Sequence, residues 1–268
     1  MNRDKLVDLL SLSRTEFEAR CDAGARAVPL GDRVWCRVLE QLTIAAIPHD
    51  VSLTPHLALA GCWEPWVTLA IGRHIKPHMR CIDIGANVGY FTALMGLLGD
   101  SVLAFEPQLE NLLALRRTIA VNGTKAVITD RAVGAGTAQG EITNYGDYCG
   151  GASVRKSAGG SVEIVSLDEA LKDDAGKWHF CKIDAEGSEP AIWQGMQDTW
   201  TGNPDLVVCL EYCAGFYPDA AAEFMHSIAE VAQVGKVGMQ GGIVQLGAVG
   251  RKGIIDTNEH CMLWLTHK

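Results

Sequence analysis

Apolar runs and helical patterns alternate along the chain from Trp63 onward. CIDIG (81–85), VLAFE (102–106), AVITD (126–130), HFCKID (179–184) and DLVVCLEY (205–212) are apolar without a polar alternation, as strands buried on both faces are. Helical segments fall at 88–98, 108–121, 189–199 and 218–234. Another opens at Glu64-Pro65-Trp66 and runs to about His74, with the proline near its first turn, where a missing N–H costs nothing. Alternation of this kind predicts an α/β fold with a doubly wound, mostly parallel sheet and helices on both faces.

The rest of the chain is less regular. Residues 1 to about 30 read as helical, and Ser13-Arg-Thr-Glu16 has the spacing of a capping box. Residues 34–60 read as short strands and a helix covering one edge of the main domain. Residues 134–163 are rich in Gly, Ser and Thr and read as a β-hairpin or mobile loop, long enough to expect a function for it. In the tail, KVGMQ and CMLWLTH read as strands joined by the Gly-rich GGIVQLGAVGRKGI. The expected division is an extension of helices and short strands over 1–62, packed on a main domain over 63–268.

Composition narrows the class. With 268 residues, 48% hydrophobic and 21% charged, the chain is an ordinary globular protein. No apolar run approaches the roughly 20 residues of a membrane span. The first twenty residues are charged throughout and lack a signal peptide's apolar centre, so a cytoplasmic location is expected. The nine cysteines form no CxxC pair, and Cys209-x-x-x-Cys213 has no second pair to complete a zinc site. Free buried thiols are expected, among them Cys81, Cys181 and Cys209. The net charge of −9 argues against a nonspecific grip on nucleic acid.

The candidate chemistry lies at the strand ends, where ligands of doubly wound sheets bind. Five successive ends carry an acid: Asp83, Glu106, Asp130, Asp184 and Glu211. Glu106 stands about 20 residues beyond the first glycine of the loop after CIDIG, where a carboxylate accepts the hydroxyls of a ribose. That leaves dinucleotides and S-adenosylmethionine. A dinucleotide fingerprint needs G-x-G-x-x-G, but the order here is Asp83-x-Gly85-x-Asn87-x-Gly89. Asn87 stands at the second glycine, and Asp83 would repel a pyrophosphate. An acid there suits a guest with an ammonium and a sulfonium.

CIDIGANVGYF, VLAFEPQLENLLALRRTIAVNG, VEIVSLDEAL and KIDAEGSEPAIWQGM resemble the successive motifs of the FkbM-type S-adenosylmethionine-dependent methyltransferases, from about Trp63 to Glu211. The resemblance implies a Rossmann-like class I methyltransferase fold, S-adenosylmethionine as cofactor, and O-methylation of a sugar or other small molecule. It implies that Gly85, Asn87 and Gly89 wrap the methionine part, with Asp83 ordering the loop or holding the amino group. Glu106 would take the ribose, Asp130 would face the adenine amino group, and Glu64 would contact the amino-acid end. Asp184 would line the reaction centre.

Asp184 and Glu211 are the candidate general bases for an alcohol acceptor. Glu186 and Glu189 read either as site residues or as acids serving the next helix's N-terminus. The histidines read as surface or loop residues. A catechol-type enzyme would hold Mg²⁺ on strand-tip acids, but no metal site is expected. The 134–163 loop is expected to border the acceptor pocket, with Tyr145 and Tyr148 as contacts. A small-molecule or glycan acceptor is the expected partner. The alternatives are methylation of a peptide or nucleic acid, or a non-catalytic nucleotide-binding module. The absence of a D/N-P-P-Y block and of a Pro-Cys dipeptide argues against nucleic acid.

Overall fold

The structure, a computed structural model, describes residues 2–174 and 176–268, apart from the side chains of Asn144, Tyr145, Tyr148 and Cys149. Two helices open the chain, Arg3–Ser11 (α1) and Arg14–Gly24 (α2). The expected capping box closes on the second: Ser13 Oγ accepts from the Glu16 N–H, and the Glu16 carboxylate from the Ser13 N–H. Helix does not continue to residue 30. Arg26–Leu30 (β1) pairs antiparallel with Arg33–Val38 (β2), which pairs with Leu42–Ala46 (β3). Pro29 has no N–H for a helix, and Gly31 takes a φ of +65° to turn the chain.

Leu53–Ala60 (α3) and Pro65–His74 (α4) lead to Arg80–Ile84 (β4), Tyr90–Leu98 (α5), Ser101–Phe105 (β5), Leu109–Asn122 (α6) and Ala126–Thr129 (β6). Ala132–Val133 (β7), Ala138–Tyr145 (β8), Tyr148–Lys156 (β9) and Val162–Val165 (β10) form a separate small sheet. Leu167–Leu171 (α7), Phe180–Ile183 (β11), Glu189–Gln194 (α8), Gln197–Gly202 (α9) and Val207–Tyr212 (β12) follow. The tail is Ala221–Val231 (α10), Ala232–Val237 (β13), Ile243–Gln245 (β14), Ala248–Thr257 (α11) and Cys261–His267 (β15).

The main sheet has eight strands in the order β14-β13-β15-β12-β11-β4-β5-β6. From β12 to β6 every pairing is parallel, while β15, β13 and β14 pair antiparallel. This is the doubly wound, mostly parallel sheet expected from the alternating pattern. Successive residues of a strand enter opposite cores, because side chains alternate faces. Cys81, Phe180 and Cys209 join α4 and α5 on one side; Ile82, Cys181 and Val208 join α8, α9 and α10 on the other. The thiols of Cys81, Cys181 and Cys209 are free and buried.

The first core also takes in Leu6, Leu9, Phe17, Ile44 and Leu57, so residues 1–62 share buried surface with α4 and α5. The edge of β3 is closed by α6 rather than by another strand. Thr118 Oγ1 accepts from the Ala45 N–H (3.0 Å), and the Asn122 amide exchanges two hydrogen bonds with Thr43 (2.9 and 2.6 Å). Two tail readings change. The helix expected over 218–234 ends at Val231, and the next six residues are β13. Part of the Gly-rich stretch near 241–253 is helical, since α11 starts at Ala248.

Candidate active site

The loop between β4 and α5 is shaped by backbone conformations that favour glycine. Gly85 has a φ of +78°, and a Cβ there would lie 1.8 Å from the Asp184 carbonyl oxygen. The N–H groups of Gly85 and Ala86 both donate to the Phe105 carbonyl (3.1 and 3.0 Å), which holds the loop against the end of β5. Asn87 follows with a φ of +51°, a conformation asparagine tolerates better than most residues. Its N–H donates to Glu106 Oε2 (2.7 Å), while Glu106 Oε1 accepts from the Gln108 N–H (2.8 Å). Glu106 is thus a brace for the loop. A carboxylate has about four acceptor positions; the two N–H groups and the Asn111 side chain take three of them, which leaves one for a ligand.

One cavity gathers Glu64, Gly85, Asn87, Glu106, Asp184 and Glu211 on its wall. The other three expected ligand residues lie elsewhere. Asp83 is inside β4 rather than at its tip, is fully buried, and accepts from Thr92 Oγ1 (2.5 Å). It lies beneath the cavity lining, which suits the loop-ordering half of its expected role. Gly89 is the N-cap of α5 at a φ of +92°, and a Cβ there would stand 2.6 Å from Leu115 Cδ1, so it is a packing residue. Asp130 is exposed just after β6, and its neighbour Arg131 lines the cavity instead.

Next to the β4–α5 loop, charge converges. Lys182 is 2% exposed and its Nζ donates to Asp184 Oδ2 (2.9 Å). Asp184 directly follows β11, two residues after Lys182, and Lys182 is also in register with Asp83 on β4. Burial alone would lower the Lys182 pKa, but Asp184 and Asp83 outweigh it and raise it. Its Nζ lies 4.9 Å from the centre of the Phe91 ring. This lysine was missed in the sequence, although a polar K-x-D within an apolar strand was its signal.

Asp184, Glu186 and Glu211 place one carboxylate oxygen each within 4.8 Å of one another. Glu211 is 5% exposed; its Oε1 lies 2.6 Å from His260 Nε2, and its Oε2 is buried with no partner among the described residues. Burial first, then Asp184, Glu189 and Glu186, push its carboxyl well above the usual range. Burial and the same neighbouring acids Asp184 and Glu189 raise Glu186 to about 8. Glu189 and Glu186 separate here. Glu189 accepts from the Ala185 and Gly187 N–H groups (2.8 and 2.9 Å) and organises the loop, while Glu186 faces the cavity at a φ of +52°. His260, read as an ordinary loop histidine, also lines the cavity. Nothing local in the sequence pairs it with Glu211, 49 residues earlier.

Glu64 occupies the N-cap of α4 at a φ of +38°. Its Oε2 is buried with no partner among the described residues, and burial followed by Asp184 raises its carboxyl to about 7. Burial raises Glu106 to about 7 as well. Glu64, Asn87 and Glu186 are three non-glycine residues at positive φ on one cavity wall, a strained backbone of the kind that gathers at functional sites. The β8–β9 hairpin borders the same cavity through Ile142, Gly150, Ala152 and Val154. The Tyr145 and Tyr148 side chains lie outside the described residues.

A doubly wound sheet with an antiparallel strand beyond its parallel half, and an acid-lined cavity over the ends of β4, β5, β11 and β12, defines a Rossmann-like class I methyltransferase fold. The family model for the methyltransferase FkbM domain matches residues 83–233. That is more than half of the chain, which therefore belongs to the FkbM methyltransferase family.

Among solved structures, the FkbM methyltransferase of Methylobacillus flagellatus KT is similar at 13% identity and a TM-score of 0.45. That match covers 70% of this chain and 43% of the other, so the chain spans less than half that protein's length. The precorrin-6y C5,15-methyltransferase of Geobacter metallireducens GS-15 is similar at 12% identity and a TM-score of 0.44, over 75% of this chain and 86% of the other. The tRNA (uracil-54, C5)-methyltransferase of Pyrococcus abyssi, in complex with S-adenosyl-L-homocysteine, is similar at 10% identity and 0.48, over 88% and 44%. No curated protein matches the chain.

Proposed function

We propose that the chain transfers a methyl group from S-adenosylmethionine to a hydroxyl oxygen of a sugar or other small molecule. The observation that carries the reading is one cavity lined both by the glycine loop with Glu106 and by the Asp184–Glu211 acids. The residues fit the cofactor. Gly85 lets the loop close directly against the Asp184 backbone at the cavity wall, and the orphaned Oε2 of Glu64 is a buried carboxylate oxygen suited to an ammonium. Gly85 and Asn87 would hold the methionine part, Glu64 its amino group, and Glu106 the ribose.

When bound, S-adenosylmethionine supplies a methyl group on a sulfonium that is already a good leaving group. The chain's part is to align the acceptor and exclude water. The hairpin over the cavity serves both. Asp184 is engaged by Lys182, so Glu211 is the better-placed acceptor of the hydroxyl proton. From Glu211 the proton has an exit through His260, whose side chain is 58% exposed. The acidic balance of the chain supports a small acceptor over nucleic acid. No helix of the described residues is long and apolar enough to cross a membrane.

Calorimetry with S-adenosylhomocysteine and NAD tests the cofactor, and transfer of labelled methyl to a panel of sugars, small alcohols, peptides and RNA tests the acceptor. Binding of S-adenosylhomocysteine and not NAD, with label on a small hydroxyl compound, is expected. NAD binding alone, or label only on RNA or peptide, would overturn the reading.

A further inference from the structure

The acid cluster at the acceptor end is built differently from a proton relay alone. Asp184, Glu186 and Glu211 come from two adjacent strand ends and the loop between β11 and α8. Around a single ion, opposite ligands lie about 4.2 Å apart for Mg²⁺ and about 4.8 Å for Ca²⁺, twice the usual metal–oxygen distances. The three carboxylate oxygens already lie within 4.8 Å of one another.

The partners of these acids divide their oxygens in a way that suits a ligand. His260 holds Glu211 Oε1, leaving Oε2 buried and with no partner among the described residues. Lys182 holds Asp184 Oδ2, leaving that carboxylate a second oxygen to offer. Metal-binding carboxylates are oriented by this kind of outer hydrogen bond. Glu189, which would otherwise crowd the cluster, is committed to the Ala185 and Gly187 N–H groups.

Charge points the same way. Asp184, Glu186 and Glu211, together with Asp83 and Glu64, share one buried ammonium, Lys182, so acids are in excess and a cation offsets part of that excess. His260 is no substitute: it touches Glu211 from a position more than half exposed, so its charge is screened by water.

We infer that Asp184, Glu186 and Glu211 form a site for one hard divalent cation of the Mg²⁺, Mn²⁺ or Ca²⁺ kind, at the acceptor end of the cavity. The all-oxygen donor set selects such ions over softer ones. This deepens the methyl-transfer reading and rests on it only for the use of the ion, which is to bind the acceptor oxygen and ease loss of its proton. No step is needed beyond that loss: with Glu211 Oε2 on the ion and Oε1 held by His260, the proton passes to solvent instead of to Glu211.

The test uses the full chain, stripped with chelator, and Mn²⁺ alone. Mn²⁺ is titrated at pH 7.5 and followed by loss of the free-ion electron paramagnetic resonance signal, with Mg²⁺ as competitor. Saturation at one ion per chain, displaced by Mg²⁺, is expected. E186Q and E211Q should each raise the half-saturating concentration by at least about tenfold, as ligand loss does. Mn²⁺ should raise the melting temperature of the wild type and not that of an E186Q/E211Q double variant. If E211Q does not fold, E186Q on the partly exposed loop decides alone. Absence of Mn²⁺ binding, or equal affinity in a folded E186Q variant, would overturn the site. Because neither cofactor nor acceptor is present, loss of the methyl-transfer reading would leave this result standing, and the reverse.

Discussion

At the cofactor end of the cavity each oxygen of Glu106 receives a backbone N–H, and the loop it braces is held against Phe105 as well. At the acceptor end the acids converge on one another, and Glu211 keeps a buried oxygen with no partner among the described residues. Both ends are carboxylate-rich and both raise carboxyl pKa values through burial. The first is satisfied by its own chain and is preorganised. The second leaves Glu211 Oε2 buried with no partner among the described residues. An unpaired buried charge is costly, while a pair with good partners is tolerated. The difference separates a surface built to be complete from one built to be completed.

Removing the buried ammonium among the acids breaks this comparison most severely. Lys182→Met should destabilise the fold by about 3–5 kcal/mol, the usual cost of stripping one partner from a buried ion pair. Asp184 and Asp83 would then face each other without compensation. Urea denaturation followed by circular dichroism measures this, and a variant as stable as the parent would show that Lys182 does not hold the acids together.

A smaller effect is expected at the satisfied end. Glu106→Gln turns an N–H donor of the amide toward one of the two backbone donors that the carboxylate now receives. Losing one charged hydrogen bond costs about 1.5–3 kcal/mol. Affinity for S-adenosylhomocysteine should therefore fall by at least about tenfold, at 1.4 kcal/mol per decade. Calorimetry on the folded variant checks it, and unchanged affinity would remove Glu106 from the cofactor site.

The smallest effect is the pH response of the two ends together. Glu64, Glu106 and Glu189 are raised to about 7 and Glu186 to about 8, from an ordinary value of 4.5. A carboxyl with a raised folded pKa binds its proton more tightly folded than unfolded. Its stabilising contribution is present below pH 4.5 and is lost as pH rises through 7 to 8. The melting temperature of the ligand-free chain in chelator should fall from pH 5 to 8.5, and fall less with S-adenosylmethionine, whose positive charges favour the ionised acids. A flat or rising curve in the ligand-free chain would contradict the account.

Local signals made much of this legible. The unalternating apolar runs located the five parallel strands, because burial on both faces leaves no room for a polar period. Ser13 and Glu16 marked a helix start through a contact that spans only three residues. The Asp83-to-Gly89 loop and Glu106 pointed to the cofactor end, since the glycines act through local backbone conformation and the acid through its distance along one βαβ unit. Where a reading failed locally, a competing local effect is visible: α2 stops at Gly24 with Ala25 already extended, and the Ala-Val-Gly-Arg-Lys-Gly-Ile-Ile run made a helix despite its glycines.

What the sequence determined by itself was the α/β alternation, the loop and the row of strand-end acids. Only the tertiary structure decided which of those acids reach the cavity. Asp83 and Asp130 have the same strand-end look as Asp184, but one lies inside its strand under the floor and the other points to solvent. The pairing of Glu211 with His260 needs β15 to insert antiparallel beside β12, bringing together residues 49 apart. The convergence of Asp184, Glu186 and Glu211 needs the register of β11 against β12. A one-dimensional pattern carries burial and local conformation, because neighbouring residues set both. It does not carry the distance between side chains on different strands, which depends on register and packing across the whole sheet.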